Sequence, residues 1–184
     1  MSKRITFQFE DDLDYQMQAI HSTVELFRGL SRHVDGIYRP NRIRKVGEGD
    51  PVRNNDIVVG SRLLENLRKV QLSNDLFADN VLAEGNNFTI EMETGTGKTY
   101  VYLRTILELY QEYGFRKFMI VVPSIAIRKG VEKSMEQLTD HFKRLYNIDI
   151  GKHSFIYDSN NPKQISSKLV ESNDLSICVL NIQA

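Results

Sequence analysis

A single cysteine among 184 residues excludes any disulfide within the chain, and with it the small disulfide-stapled domains of secreted proteins. That residue, Cys178, lies in the apolar run Leu175-Ser176-Ile177-Cys178-Val179-Leu180, which reads as a buried structural thiol in a reducing, cytoplasmic setting. Apolar stretches are short: none approaches the ~20 residues that a membrane-spanning helix needs. Met1-Ser2-Lys3-Arg4 leads into a mixed polar segment rather than the apolar core of a signal peptide, so neither membrane insertion nor export is expected. An excess of one charge is missing too. The 24 basic and 24 acidic side chains exclude a simple polycation coating nucleic acid, while leaving room for a local basic surface. His21, His33, His141 and His153 have no paired spacing, so a metal site built from histidine or cysteine is not expected. Internal repeats and low-complexity tracts are absent.

What is present is apolar material, 41% of the residues, in a chain of ordinary single-domain length, ~100–200 residues. At this length a chain buries ~70% of the surface its unfolded form exposes, so a real core is within reach. Charge is distributed unevenly. Glu10, Asp11, Asp12 and Asp14 make an acidic start, and residues 28–53 hold seven basic side chains against three acidic ones. A charge run is usually a solvated face; a DNA or partner surface is the sharper reading of that segment.

Ile5-Thr6-Phe7-Gln8-Phe9 alternates like a short strand, and a helix is expected from about Asp14 to Arg28, with Ile20, Val24 and Phe27 on one face. Gly29, Gly36, Pro40, Gly47, Gly49 and Pro51 then punctuate what reads as a loop or small insertion. A second helix begins near Ser61, its expected N-cap, with Leu63, Leu64, Leu67 and Val70 along one side. After the turn signal Gly85-Asn86-Asn87, residues 88–92 read as a strand, 93–97 as a loop, and Lys98 to about Tyr113 as a helix stopped by Gly114. Phe118-Met119-Ile120-Val121-Val122 is a continuous apolar strand of the kind buried on both faces of a parallel sheet. The next helix places Val131, Met135, Leu138, Phe142 and Leu145 on one face. A strand near Ser154–Tyr157, a short helix near Lys163–Glu171 and a last strand at Leu175–Ile182 follow. Strand and helix alternating in this way predict a parallel α/β sheet flanked by helices.

Glu93-Thr94-Gly95-Thr96-Gly97-Lys98-Thr99 lies between an expected strand and an expected helix, the context that a phosphate-binding loop requires. Glycines at 95 and 97 let the backbone curl so that N–H groups converge on phosphate oxygens, and the helix N-terminus adds a favourable dipole. Lys98 would reach the β- and γ-phosphates, and the Thr99 hydroxyl would join the Mg²⁺ shell. The strict pattern has a glycine where this chain has Met92. The plainer alternative is a glycine turn before a helix with an exposed lysine. Tyr100, Tyr102, Tyr110 and Tyr113 on the same helix read as packing residues in preference to base-stacking ones.

Thr94-Gly95-Thr96-Gly97-Lys98-Thr99 resembles motif I of superfamily 2 helicases, where the first glycine of the general pattern is often replaced. The wider string from Phe88 to Tyr102, followed by Ile120-Val121-Val122-Pro123-Ser124-Ile125-Ala126-Ile127-Arg128, is similar to the Res (restriction and translocation) subunit of type III restriction–modification enzymes. That resemblance is strong over about residues 86–132. It implies a P-loop NTPase of RecA-like form, here an incomplete first motor domain at residues 86–184 after an N-terminal region at 1–85. It implies ATP and Mg²⁺ as cofactors, held by Thr94, Gly95, Thr96, Gly97, Lys98 and Thr99, with Lys98 catalytic and Thr99 on the metal. Gln16, in Leu13-Asp14-Tyr15-Gln16-Met17-Gln18, matches the family's upstream adenine-reading glutamine, a role that suits an amide able to donate and accept at once; Gln18 is the fallback, and a polar residue on an exposed helix side is the bland alternative. Pro123-Ser124 stands in the place of motif Ia, where Ser124 and a helix N-terminus would meet a nucleic-acid phosphate and Arg128 and Lys129 would add salt-sensitive attraction. For Arg128 an exposed helix position is an equal alternative. The general helicase form has an arginine where this chain has Ile125, so no basic contact carries over there.

The acidic Asp-Glu-x-His-type motif that holds Mg²⁺ opposite the loop does not occur in this sequence, and neither a second motor domain nor a nuclease domain is recognisable. The chain is therefore expected to be the N-terminal portion of a longer ATP-dependent DNA translocase and endonuclease, acting on double-stranded DNA with a methyltransferase (Mod) subunit. The alternative is a non-catalytic module that binds nucleotide, DNA or the methyltransferase without hydrolysis; a small-molecule kinase using the same loop is disfavoured by the motif Ia-like string.

Overall fold

The computed structural model describes residues 13–34, 37–40, 60–79, 81–82 and 86–182; the strand expected at Ile5–Phe9 and most of the basic segment lie outside them. Two compact units form, Gln18–Lys117 and the residues flanking it on either side. Among the described residues no helix is long and apolar enough to cross a membrane.

Helix α1 (Asp14–Glu25), which runs into the Gln18–Lys117 unit, ends earlier than its periodicity predicts, because the chain turns through Gly29 at a left-handed φ of 67°. Ser31–Val34 (β1) and Ile37–Pro40 (β2) then pair antiparallel, within the stretch read as a loop or small insertion. The register sets Val34 against Ile37. Next, α2 (Ser61–Ser73) starts on Gly60, which is its N-cap without a side-chain bond; Ser61 is the first helical residue and not the cap. Leu63 from α2 joins Leu26 and Leu30 in a small core, with Phe27, Leu67, Val70 and Phe88 packed against it. The longest helix of this unit, α3 (Lys98–Tyr113), stops at Gly114 with φ 75°, as expected. Its Tyr113 ring lies 6.1 Å from Phe27, and its hydroxyl donates to the Val24 carbonyl at 3.1 Å.

Asn66 interrupts the apolar stripe of α2, and its amide explains why: it donates to the Leu26 carbonyl at 3.0 Å and to the Arg28 carbonyl at 2.8 Å. Those carbonyls follow the end of α1, where no helical N–H remains to take them. Asn66→Ala removes the donor from both, one buried and the other part-buried, and is expected to destabilise the chain by about 1–3 kcal/mol, read as a lower urea midpoint.

The flanking unit holds a three-stranded parallel sheet of β3 (Lys117–Val122), β4 (Ser154–Ile156) and β5 (Ser176–Asn181) in the order β3-β5-β4. Phe155 stands opposite Cys178 in the register. Between the strands run α4 (Ile125–Tyr146), the short α5 (Ile150–His153), and α6 (Lys163–Ile165) continuing into a π-helical turn at Ser166–Glu171. On α4, Val131, Met135, Leu138 and Phe142 are buried as the pattern predicts. Leu145 is 39% exposed: the helix ends one residue later, and the stripe gives out in its last turn. Central β5 is buried along nearly its whole length, whereas Met119 and Val121 on edge strand β3 are 58% and 57% exposed. Among the described residues only one face of β3 is covered, contrary to the two-sided burial expected from its apolar run.

Cys178 is fully buried, and burial pushes its thiol above the ordinary value of 9.0. The folded chain therefore holds that proton more tightly than the unfolded chain does. Stability from this source is full below about pH 9 and is lost as pH rises through the folded value. The buried phenols of Tyr102 and Tyr113, both raised above 10.0 mainly by desolvation, act with the same sign. A urea midpoint that falls between about pH 8.5 and 10.5 is the expected result.

Candidate nucleotide site

The loop at 93–97 closes on itself before α3 begins. The Thr96 hydroxyl donates to the Glu93 carbonyl at 2.7 Å, and Gly95 and Gly97 both adopt left-handed backbone, with φ of 85° and 84°. Gly97 is the N-cap of α3, and its carbonyl takes the first helical bond, from the Val101 N–H at 3.1 Å. Open space surrounds the position a Cβ would occupy on Gly95, so the backbone conformation itself, and not crowding, calls for glycine there. Gly97→Ala is expected to cost about 1–2 kcal/mol of loop and helix-start stability, seen as faster amide exchange over the first turn of α3.

This geometry makes Lys98 and Thr99 the first two residues of α3. Their N–H groups have no helical acceptor and carry the positive end of the helix dipole. Lys98 is exposed, and no ion pair with it is found among the described residues. Thr99 is partly covered. Left-handed glycines, helix-start amides, an outward cation and a hydroxyl in sequence fit a polyphosphate with its Mg²⁺: backbone and Lys98 for the phosphates, Thr99 for the metal.

The strand expected before the loop does not form. Residues 88–92 are irregular and Ile90 is 46% exposed, because a parallel strand needs a neighbour to pair with and no described strand pairs with this segment.

The other sequence-derived residues each have their own surroundings. Gln16 is 7% exposed, a buried residue and not the exposed polar position of the bland reading. Gln18 is exposed, and its amide donates to Asn74 Oδ1 at 2.8 Å. Ser124 is the N-cap of α4, accepting from the Ile127 N–H at 3.3 Å, which leaves its own proton available to a phosphate. Arg128, for which a DNA contact and an exposed helix position stood as equal alternatives, is partly covered, and its Nη1 donates to Asn181 Oδ1 at 2.8 Å. Asn181, at the carboxyl end of β5 and 4% exposed, escaped the sequence reading; a polar residue closing an apolar strand at the sheet's ligand-bearing end was its signal.

A parallel α/β sheet together with a glycine-strained loop that opens a helix with Lys-Thr defines the class as P-loop, helicase-like. The profile of the family described as type III restriction enzyme, res subunit, matches residues 11–184, and the chain belongs to that family. It is 27% identical over 170 residues to the type III restriction-modification enzyme EcoPI Res subunit of Escherichia phage P1, covering 90% of this chain and 17% of that protein. The EcoP15I Res subunit of Escherichia coli is 32% identical over 111 residues, 58% of this chain and 11% of the relative. The StyLTI Res subunit of Salmonella typhimurium is 47% identical over 62 residues, 33% of this chain and 6% of the relative. The chain thus spans about a sixth or less of the length of these relatives.

Proposed function

We propose that this chain is the ATP-binding N-terminal part of a Res subunit, a cytoplasmic, ATP-dependent DNA translocase and endonuclease that works with a methyltransferase subunit on double-stranded DNA. The observation that carries the reading is the pair of left-handed glycines that deliver Lys98 and Thr99 as the first residues of α3. The loop amides and Lys98 hold the triphosphate and stabilise charge on the transferring phosphoryl. Thr99 holds Mg²⁺, Gln16 reads the adenine edge, and Ser124 meets a DNA phosphate at the start of α4. The division into an N-terminal region at 1–85 and a motor part at 86–184 belongs to the same proposal.

A second reading has the chain binding nucleotide without turnover. Hydrolysis needs a carboxylate to hold the metal opposite Thr99 and a group to orient water, and the sequence carries no Asp-Glu-x-His-type motif. Phosphate release from Mg-ATP, followed with and without duplex DNA, separates the two. Release that Lys98→Ala abolishes supports an active motor part. Binding without release supports the module, and no binding contradicts both.

A further inference from the structure

We propose that Asn181 holds the Arg128 guanidinium for a DNA phosphate at the carboxyl end of the parallel sheet, making Arg128 a phosphate contact and Asn181 its positioning residue. The inference rests on the reading of Ser124 and the start of α4 as a DNA contact and extends it to two further side chains. All of these residues belong to one compact unit. The Ile182 N–H donates to the Val122 carbonyl at 3.0 Å, which sets the end of β5 beside the end of β3, two residues before Ser124 caps α4. Arg128 follows Ser124 by one helical turn, its N–H bonded to the Ser124 carbonyl at 3.0 Å, a spacing that makes the two side chains neighbours on the helix surface. From there its Nη1 donates to Asn181 Oδ1 at 2.8 Å.

Two features set this pair apart from ordinary packing. Asn181 is 4% exposed at the end of a strand whose Ile177, Cys178 and Val179 are fully buried, a place where an amide costs free energy unless it is bonded, and its side chain is bonded to Arg128. The guanidinium is partly covered, yet no ion pair with it is found among the described residues. A carboxylate at position 181 would hold the arginine more strongly and cancel its charge. Asparagine fixes the side chain, takes one of its five N–H donors and leaves the positive charge whole. A long side chain held in place before binding costs less entropy when it meets its ligand. A neutral anchor under an uncompensated cation suits a phosphate contact better than a tie made for stability alone.

Binding of a labelled duplex of arbitrary sequence to the 184-residue chain, followed by fluorescence anisotropy over a salt series, separates the roles. Arg128→Ala is expected to weaken binding about threefold to tenfold at low salt and to make the dependence of log affinity on log salt shallower by about one. Asn181→Leu keeps the charge but frees the side chain, so affinity should fall about threefold with the salt slope unchanged; in an Arg128→Ala background it should have no effect. Asn181→Asp keeps the tie and cancels the charge. It should unfold at or above the temperature of Asn181→Leu and yet bind duplex as weakly as Arg128→Ala, a split that a merely structural role would not produce. Unchanged affinity in Arg128→Ala would overturn the proposal, as would a loss from Asn181→Leu that persists undiminished in the Arg128→Ala background; if Ser124→Ala still weakens binding, the reading of the α4 start survives that failure. A wild-type chain that binds no duplex would overturn that reading and this inference together.

Discussion

Lys98→Ala is expected to weaken Mg-ATP binding at least tenfold, ~1.4 kcal/mol or more, in a calorimetric titration, with the thermal midpoint of the free chain unchanged. The second half of that expectation follows from exposure: Lys98 is solvent-facing at the start of α3, and alanine is the better helix former. The first half follows from charge. A cation one residue past a left-handed glycine cap sits where the α3 amides converge, and removing it leaves the dipole and N–H groups to hold the phosphates unaided. Lys98→Arg keeps the charge but replaces a compact ammonium by a planar fork, so partial recovery distinguishes a point-charge role from a merely electropositive surface. Loss of affinity below twofold for Lys98→Ala would place the phosphates elsewhere.

The largest expected change in stability comes from Phe142→Ala. Phe142 is fully buried on α4, edge-on to His141 at 5.5 Å and tilted against Tyr146 at 6.2 Å. Truncating a buried phenylalanine costs about 3–5 kcal/mol, a large part of the ~5–15 kcal/mol that a domain has in total. The variant is expected to be partly unfolded at 37 °C, with a urea midpoint far below that of wild type. Phe142→Leu, which keeps most of the volume, should recover the greater part. A loss under about 1 kcal/mol for the alanine variant would contradict the packing described for α4.

The parts of this molecule that were legible in its sequence are those whose signal is local. Gly97 and Gly114 bracket α3 because left-handed backbone at each end needs glycine, and the four-and-three spacing from Val131 to Phe142 marks the buried side of α4. The apolar run around Cys178 reads directly as a strand, while its central place in the sheet shows only in the order β3-β5-β4. What failed depends on partners. Phe88–Met92 has strand composition, yet no described strand pairs with it; Phe118–Val122 reads as doubly covered, yet Met119 and Val121 face outward. The loop residues were legible as a motif because each has its own chemical requirement. The hydrogen bond from Arg128 to Asn181 was not, since nothing in the neighbourhood of Arg128 along the chain announces a partner more than fifty residues away.

The central claim is that Thr94–Thr99 and the first turn of α3 hold the phosphates of a nucleotide. Amide hydrogen exchange on the 184-residue chain, with and without saturating Mg-ATP, tests it most directly, because on this claim the N–H groups of the loop would themselves be the ligands. The account predicts slowed exchange concentrated over residues 94–101 and lost in Lys98→Ala. Protection that appears elsewhere while these amides exchange as in the free chain would contradict it.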